Sequence, residues 1–234
     1  MPTSRRSPIP AVAASLLAIG AILLSLNGLG AGKAAAAVGP AALSPEPRPL
    51  GMVAGSDSAV FAGGCFWGVE AVFEHLAGVS TAVSGYAGGT AASPSYEQVS
   101  TGTTGHAEAV LVVYDPSQIS YDQLLQVFFT IAHDPTQLNR QGPDVGTQYR
   151  SAVFYRSAAQ REAAERYMAR LKEAGVYRDR IVTEVSPLDA FHPAESYHQD
   201  YLVRHPTQPY IVINDAPKLE ELRRRLPGLY REPS

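Results

Sequence analysis

The stretch that organises this chain of 234 residues runs Val60-Phe61-Ala62-Gly63-Gly64-Cys65-Phe66-Trp67-Gly68-Val69-Glu70. It contains the only cysteine and the only tryptophan of the sequence. Its first three residues are typical of the end of a buried strand, and apolar residues recur at helical spacing from Phe66 onward. Because the two glycines between them allow a tight turn, the stretch predicts a strand that leads directly into a helix at Cys65.

Cys65 is thus predicted at a helix N-terminus, among unpaired N–H groups and the positive end of the helix dipole. This position favours a thiolate and can lower the pKa of a thiol from about 8.5 into a reactive range. Most free cysteines are inert core residues, but a core cysteine needs neither a glycine turn nor a helix end. We therefore predict a reactive Cys65 with a lowered pKa, beside a large aromatic wall.

Glu108 is the second candidate for chemistry. By the strand period of two, it shares one face with Val110, Val112 and Tyr114. A carboxyl group on an apolar face is desolvated, which raises its pKa and lets it act as a general acid near neutral pH. The alternative is a glutamate at a strand edge that faces solvent, and the spacing alone leaves both open.

Three residues in turn-rich segments, Tyr96, Asp144 and Tyr149, could add polar groups to a pocket. Tyrosine hydroxyls can hold an oxygen acceptor between apolar walls, although both rings could also lie on the surface. A loop aspartate is ordinarily a turn former. His198 is predicted to be a structural hydrogen-bonding residue rather than a base.

Four motifs in order resemble the signatures of the A-type peptide-methionine sulfoxide reductases. The resemblance covers roughly residues 60–209, and four linked motifs make a specific signal. The motifs are Gly64-Cys65-Phe66-Trp67-Gly68-Val69-Glu70, Gly105-His106-Ala107-Glu108-Ala109-Val110, Gly142-Pro143-Asp144-Val145-Gly146-Thr147-Gln148-Tyr149-Arg150-Ser151 and Tyr197-His198-Gln199-Asp200-Tyr201-Leu202.

The resemblance implies reduction of the S epimer of methionine sulfoxide, in proteins and free. Cys65 would attack the sulfoxide sulfur while Glu108 protonates the oxygen, which leaves methionine and a sulfenic acid on Cys65. The remaining matched residues would bind substrate. They are Phe66 and Trp67 for the methyl group, Tyr96 and Tyr149 for the oxygen, and Asp144 for the polar network of the site.

One feature departs from that family. Many members carry resolving cysteines in a glycine-rich C-terminal tail, whereas this sequence has no cysteine besides Cys65. A disulfide within the chain is therefore excluded. We predict that no cofactor is bound and that an external thiol, thioredoxin-like or glutathione-like, reduces the sulfenic acid.

Two other functions stay open on the residues alone. In a hydrolase, Cys65 would pair with His106, His133 or His198. In a silent binder of methionine-containing peptides, the pocket would persist without turnover, although the pairing of Cys65 with Glu108 argues against this. No Cys/His cluster has the spacing of metal ligands, so no metal site is predicted.

Residues 1–37 have the layout of a secretory signal peptide. Two arginines precede an apolar run at 11–26, and four alanines follow at 34–37. The alternative is an uncleaved membrane anchor over 11–29, which nearly reaches the ~20 residues needed to span a bilayer. Both interpretations predict export to the periplasm or the outside of the cell.

The rest of the chain is predicted as a disordered linker at 38–55, a catalytic domain at 56–215 and a tail at 216–234. Loss of 1–37 would remove three positive charges and change the formal charge from −3 to −6. This mild acidity, without a basic cluster in the domain, argues against nucleic-acid binding. We expect a monomer that acts on oxidised proteins and on free methionine sulfoxide.

The order of elements predicts the fold class. The first six spell β-α-β-β-α-β, the ferredoxin-like split unit, so we predict a two-layer α+β fold with an extra C-terminal strand and helices. The predicted strands are 58–63, 79–86, 107–114, 150–156, 181–186 and 210–213. The predicted helices are 66–77, 120–133, 157–174, 194–204 and 218–226, and 88–102 is predicted as a long loop.

Overall fold

The computed structural model describes residues 55–90, 92 and 94–232. The predicted signal peptide and nearly all of the predicted linker lie outside these residues. Within the described ranges, no helix combines the length and the apolar character that crossing a membrane requires.

The described residues form eight strands. Their bounds are β1 Asp57–Gly63, β2 Val79–Ala87, β3 Ala107–Tyr114, β4 Arg140–Gln141, β5 Asp144–Val145, β6 Ser151–Tyr155, β7 Glu184–Pro187 and β8 Phe191–Pro193. Six of them form one sheet in the order β7-β6-β1-β3-β2-β8, and β4 pairs with β5 in a separate hairpin.

The described part of the chain also forms six α-helices. They are α1 Phe66–Glu74, α2 Tyr96–Ser100, α3 Tyr121–Val127, α4 Ala158–Glu173, α5 Tyr201–Arg204 and α6 Ala216–Arg225. Short turns of other helix types complete the set: π-helical turns at Phe128–Ala132 and Ile211–Asp215, and 3₁₀ turns at Thr147–Tyr149 and Ser196–His198.

The four central strands have the ferredoxin-like arrangement. In the order β6-β1-β3-β2, every neighbouring pair is antiparallel, as the split β-α-β-β-α-β unit requires. β7 extends one edge in parallel to β6, and β8 extends the other edge antiparallel to β2. The predicted α+β class and the core topology are confirmed.

Strand β1 is apolar from Ala59 to Ala62, where both of its faces are buried. Phe61 faces the helices, where its ring stacks on Phe73 at 5.1 Å and on Phe128 at 4.9 Å between centroids. Val60 and Ala62 face the other side, in a second apolar cluster that includes Phe154. A strand buried on both faces lies inside the sheet, which places its C-terminal end, and hence Cys65, among several loops.

The predicted strand at 210–213 is wrong, because this segment forms the π-helical turn Ile211–Asp215 that leads into α6. Ile211 and Asp215, four residues apart, are both buried, whereas Ile213 between them is 71% exposed. Burial at helical spacing therefore prevails over the β propensity of the Ile-Val-Ile run. Two strands extend the four-stranded core instead: β7, which lies close to the predicted strand at 181–186, and β8, which the sequence did not predict.

Two other predicted segments differ in detail. The loop at 88–102 contains α2, which begins at a capping box formed by Ser95 and Gln98. The predicted helix at 194–204 is split into a 3₁₀ turn and α5, because Asp200 between them adopts a left-handed backbone with φ of 52°. The capping box of Ser120 and Gln123 that begins α3 is present as predicted.

The segment predicted as a tail, 216–234, carries helix α6. Leu222 of this helix is fully buried in the helix-side core, and Leu76 forms an isolated bridge with Tyr230. Helix α6 therefore packs on the domain, and the turn before it lies next to α1.

Candidate active site

Cys65 is the N-cap residue of α1 and follows β1 after a turn made by two glycines. Gly64 has a φ of +89°, which favours glycine, and a Cβ there would lie 2.5 Å from the side chain of Gln141. The glycine turn therefore lets the β4–β5 hairpin approach the start of α1. The predicted strand-to-helix turn at Cys65 is confirmed.

A cavity of about 190 Å³ opens beside the Cys65 thiol. It is lined by the seven residues to which the family resemblance assigned a role in the reaction or in substrate binding, together with Tyr210, to which it assigned none. The lining consists of Cys65, Phe66, Trp67, Tyr96, Glu108, Asp144, Tyr149 and Tyr210. A larger cavity of about 560 Å³ next to the C-terminal end of α4 is lined by none of these residues.

Glu108 lies on the helix-side face of β3, which it shares with the buried Val110 and Val112. Its side chain is only 3% exposed, so the solvent-facing alternative is wrong. The backbone N–H of Phe66 donates to its Oε2 at 3.0 Å. Burial raises the pKa of Glu108 from 4.5 to about 8, the Phe66 N–H partly opposes the shift, and the charge of Asp144 adds to it.

The pKa of Cys65 departs from the expected direction. Burial raises it well above its ordinary value, and the negative charges of Glu108, Asp215 and Asp144 add to the effect. The Trp67 backbone N–H, at the helix N-terminus, lowers the pKa but is outweighed. The predicted lowering of the thiol pKa is therefore wrong for the free protein, because the thiol is buried and because three carboxyl groups converge on it that the motif alone does not show.

The tyrosines of the cavity keep their protons. Burial raises the pKa of Tyr96 and of Tyr149, and the charge of Glu108 raises both further. The backbone N–H of Tyr96 donates to Glu195 Oε1 at 2.9 Å, which fixes the start of α2. Both phenols line the small cavity and keep a proton that they can donate in a hydrogen bond.

Tyr210 is the cavity residue that sequence reasoning missed. Its hydroxyl donates to Asp144 Oδ2, and its ring meets that of Trp67 edge-on with centroids 5.9 Å apart. Tyr210 thereby joins the segment before α6 to the β4–β5 hairpin. It belongs to no motif, and the apolar residues after it suggested a strand, so nothing in the sequence marked it.

Asp215 was also missed. It is 1% exposed, and its Oδ1 receives a hydrogen bond from Lys218 Nζ at 3.1 Å. A Cβ at Gly68 would lie 2.0 Å from that oxygen, so the glycine makes room for the carboxyl group against the first turn of α1. Gly68 in the first motif was the one sequence feature that could have indicated a group packed closely against the first turn of α1.

The histidines needed for a hydrolase lie elsewhere. His133 donates through Nδ1 to Phe128 O at 2.9 Å, and its Nε2 pairs with Ser151 Oγ at 2.7 Å. His198 Nδ1 accepts from the Trp67 indole, and His106 Nδ1 accepts from a backbone N–H. No histidine belongs to the cavity lining within the described chain, and no group of three His, Cys, Asp or Glu side chains there could hold a metal ion.

A cysteine thiol, a buried carboxyl group with a raised pKa and an aromatic wall line one small cavity, and this combination suits a cysteine-dependent enzyme. The sequence model of the family described as peptide methionine sulfoxide reductase matches residues 57–228. The chain therefore belongs to the A-type peptide methionine sulfoxide reductases, the family that its four motifs predicted.

Individual relatives agree with this assignment. The peptide methionine sulfoxide reductase MsrA 2 of Mesorhizobium japonicum is 55% identical over 178 residues, which are 76% of this chain and 91% of the relative. The reduced form of Mxr1 from Saccharomyces cerevisiae is similar in structure, with a TM-score of 0.62, 36% identity and coverage of 66% of this chain and 88% of that one. Methionine sulfoxide reductase A of Corynebacterium diphtheriae has a TM-score of 0.59 and 38% identity, with coverage of 73% and 87%.

Proposed function

We propose that this protein reduces the S epimer of methionine sulfoxide, free and in proteins, to methionine, with Cys65 as nucleophile and Glu108 as general acid. The observation that carries the proposal is the placement of both groups in one cavity of about 190 Å³, with Glu108 bonded to the backbone of the residue after Cys65. Family membership supports the substrate class.

Glu108 supplies the proton that the sulfoxide oxygen needs in order to leave. Because burial raises its pKa to about 8, the carboxyl group holds its proton at neutral pH and can donate it to the oxygen. The hydroxyl groups of Tyr96 and Tyr149 donate hydrogen bonds to the same oxygen, and Phe66 and Trp67 enclose the methyl group.

The substrate itself activates the thiol. In the free enzyme Cys65 keeps its proton, because burial and nearby carboxylates disfavour the thiolate. Protonation of the sulfoxide oxygen places positive charge on the sulfur beside Cys65, which favours the thiolate, and the thiol proton can return to Glu108. The substrate S–O bond breaks and a Cys65 S–O bond forms, so the sulfoxide is reduced and Cys65 is oxidised to a sulfenic acid.

An external thiol completes the cycle, since the 234 residues contain no second cysteine. One thiolate attacks the sulfenic sulfur and releases water, which forms a mixed disulfide, and a second thiol frees Cys65 and leaves as disulfide. The donor is a thioredoxin-like protein or a small thiol such as glutathione. With the signal-like segment at 1–37, we place the monomeric enzyme outside the cytoplasm, where it repairs oxidised proteins.

The test is an anaerobic single turnover with separated S and R methionine sulfoxide and no reductant. The S epimer should release one methionine per chain and leave Cys65 as a sulfenic acid that gains the mass of a dimedone-type trap. The R epimer and the Cys65→Ser variant should give neither product. Equal turnover of both epimers, or a Cys65–Cys65 disulfide dimer as the main product in non-reducing electrophoresis, would contradict the proposal.

A further inference from the structure

Asp215 is a buried carboxyl group that lies outside the cavity lining. Its Oδ1 accepts from Lys218 Nζ at 3.1 Å, whereas its Oδ2 is buried and has no hydrogen-bond partner within the described residues. Asp215 occupies the N-cap position of α6, where an aspartate ordinarily accepts from the helix backbone, but its side chain makes no capping bond there. The orientation of this carboxyl group is therefore not explained by helix capping.

Gly68 shows how close the Asp215–Lys218 pair comes to Cys65. A Cβ at Gly68 would lie 2.0 Å from Asp215 Oδ1 and 2.7 Å from Lys218 Nζ. Gly68 follows Cys65 by three positions, and residues three apart are neighbours on one face of a helix. The ion pair therefore lies against the face of α1 that begins at the thiol, and the absence of a side chain at Gly68 makes room for it.

Asp215 places a negative charge near the thiol. Its charge opposes ionisation of Cys65 more strongly than the charge of Asp144 does. Burial raises the pKa of Asp215, but the charge and the hydrogen bond of Lys218 lower it. Lys218 thus favours the charged form of Asp215, and its hydrogen bond to Oδ1 leaves Oδ2 without a partner.

Other titratable groups face Cys65 or the ion pair from several elements. They are Tyr96 on α2, Glu108 on β3, His133 after the first π-helical turn, Asp144 on β5, Tyr149 in the 3₁₀ turn and Tyr210 before α6. Burial raises the pKa of the three tyrosines and of Glu108 and lowers that of His133 to about 4, so these five groups are mainly neutral at pH 7. Asp144 and Asp215 are the negative charges of this set, and Lys218 is the positive one.

We propose that Asp215 is a positioning residue that acts on Cys65 through its charge and holds the thiol in the protonated, unreactive form until substrate is bound. This deepens the proposed function and rests on Cys65 as the nucleophile. Because Asp215 does not line the cavity, its charge remains when the sulfoxide enters, and the positive charge on the protonated sulfoxide overcomes it. In the free protein, the same charge protects Cys65, since oxidation follows thiolate character.

Asp215→Asn removes the charge with little change of shape, because the amide oxygen can still accept from Lys218. The readout is the rate at which iodoacetamide alkylates the single cysteine after rapid mixing into buffers of pH 6–11, followed by intact mass. We expect the midpoint of the pH profile to fall by about one unit, which makes alkylation about tenfold faster at pH 7.5 and leaves the rate at the high-pH plateau unchanged. An unshifted midpoint in the folded variant would overturn the proposal.

A purely structural role of Asp215 gives a different profile. Looser packing around α1 would raise the rate by one factor at every pH and leave the midpoint in place, which would contradict an action through charge. Glu70→Gln is the matched control, because it replaces a second buried carboxyl group of the α1 region that bonds to backbone away from the cavity. Its midpoint should stay at the wild-type value, and an equal shift there would refute the assignment to Asp215. The assay contains no sulfoxide, so its outcome does not depend on what the protein reduces.

Gly68→Ala tests the same charge from the side of the helix, and it decides the matter if Asp215→Asn folds poorly. The added methyl group would lie 2.0 Å from Oδ1, so the carboxylate must move away from α1. The midpoint should fall in the same direction as in Asp215→Asn, by a smaller amount. A wild-type midpoint in folded Gly68→Ala would show that the charge of the pair does not act on the thiol.

Hydrogen peroxide tests the protective effect. One peroxide molecule transfers an oxygen atom to the thiolate, which gives a sulfenic acid and water, and a second converts this to a sulfinic acid. At pH 7.5 without reductant, Cys65 should gain these oxygen masses about tenfold faster in Asp215→Asn than in the wild type. Equal rates of oxidation would rule out protection by Asp215.

Discussion

Two buried glutamates, Glu108 and Glu70, share a raised pKa but differ in everything around them. Burial raises the pKa of Glu108 to about 8 and that of Glu70 to about 7. Glu70 accepts backbone N–H groups from Ser84 and Asp200, both at 3.1 Å, and so joins α1 to β2 and to the start of α5. Glu108 accepts one N–H group and lines the cavity beside Cys65.

Helix α1 separates the two environments. Its N-terminal end carries Cys65 and meets Glu108, whereas Glu70 and Glu74 follow one and two turns later. The pKa of Glu74 is also raised, to about 8, by burial and by the charge of Glu70. No cysteine lies beside Glu70 or Glu74, since the single cysteine of the chain is Cys65. A raised pKa of a carboxyl group thus shows that the group is buried. It indicates a catalytic role only where a nucleophile and a space for substrate lie beside the group.

Glu108→Gln has the largest effect expected for either glutamate. The amide keeps the size and accepts the Phe66 N–H but cannot donate a proton to the sulfoxide, so methionine release in a single turnover should slow by roughly 10²–10⁴-fold. In the wild type, this rate should lose its acid contribution as pH rises through about 8, and the variant should lack that dependence. Sulfenic acid formation at the wild-type rate would assign the acid to another group.

Local patterns predicted the two reacting residues because each signal lies within a few positions. The turn at Cys65 depends on adjacent glycines, and the burial of Glu108 follows from alternation along β3. The pKa of Cys65 could not be predicted in the same way, since Asp144 and Asp215 reach it only through the fold. The position of Tyr210 in the cavity could not be predicted for a related reason. The conformation of its segment depends on packing against α1 and not on the segment's own β propensity.

Tyr210→Phe tests the role of a third carboxyl group, that of Asp144. This group accepts a hydrogen bond from the Tyr210 hydroxyl. The variant removes the donor to Asp144 Oδ2 while keeping the ring against Trp67. A hydrogen bond to a charged group contributes about 1.5–3 kcal/mol, so kcat/KM should fall by about 10- to 100-fold if Asp144 must be held for substrate binding.

Tyr177→Phe is the matched control, because the Tyr177 hydroxyl donates to Phe129 O away from the cavity. It should lower stability without changing kcat/KM. If Tyr210→Phe keeps the wild-type kcat/KM, the Tyr210–Asp144 hydrogen bond has only a structural role, like the hydrogen bonds of Glu70.

Glu70→Gln should have the smallest effect on rate, because Glu70 contacts backbone rather than the cavity. Methionine release in a single turnover should stay within about threefold of the wild type, an effect of no more than about 0.7 kcal/mol. The substitution should act on stability instead. The single amide oxygen of glutamine can accept a hydrogen bond from the N–H group of Ser84 or of Asp200, but the amide nitrogen cannot accept the other bond, which is lost.

The pH dependence of that stability decides whether the comparison holds. The pKa of Glu70 is 4.5 when unperturbed and about 7 when folded, so its contribution to stability is full below pH 4.5 and is lost as pH rises through 7. Glutamine does not titrate, so the advantage of the wild type in unfolding free energy should shrink by ~3 kcal/mol between pH 4 and pH 8, measured by denaturant unfolding.

Glu108→Gln should change the pH dependence of stability in the same direction between pH 4.5 and 8, because burial also raises the pKa of Glu108. Stability profiles of the same sign, with rates that differ by about thirtyfold or more, would separate the effect of burial from the effect of catalysis. A hundredfold rate loss in Glu70→Gln would instead make both glutamates parts of one catalytic unit.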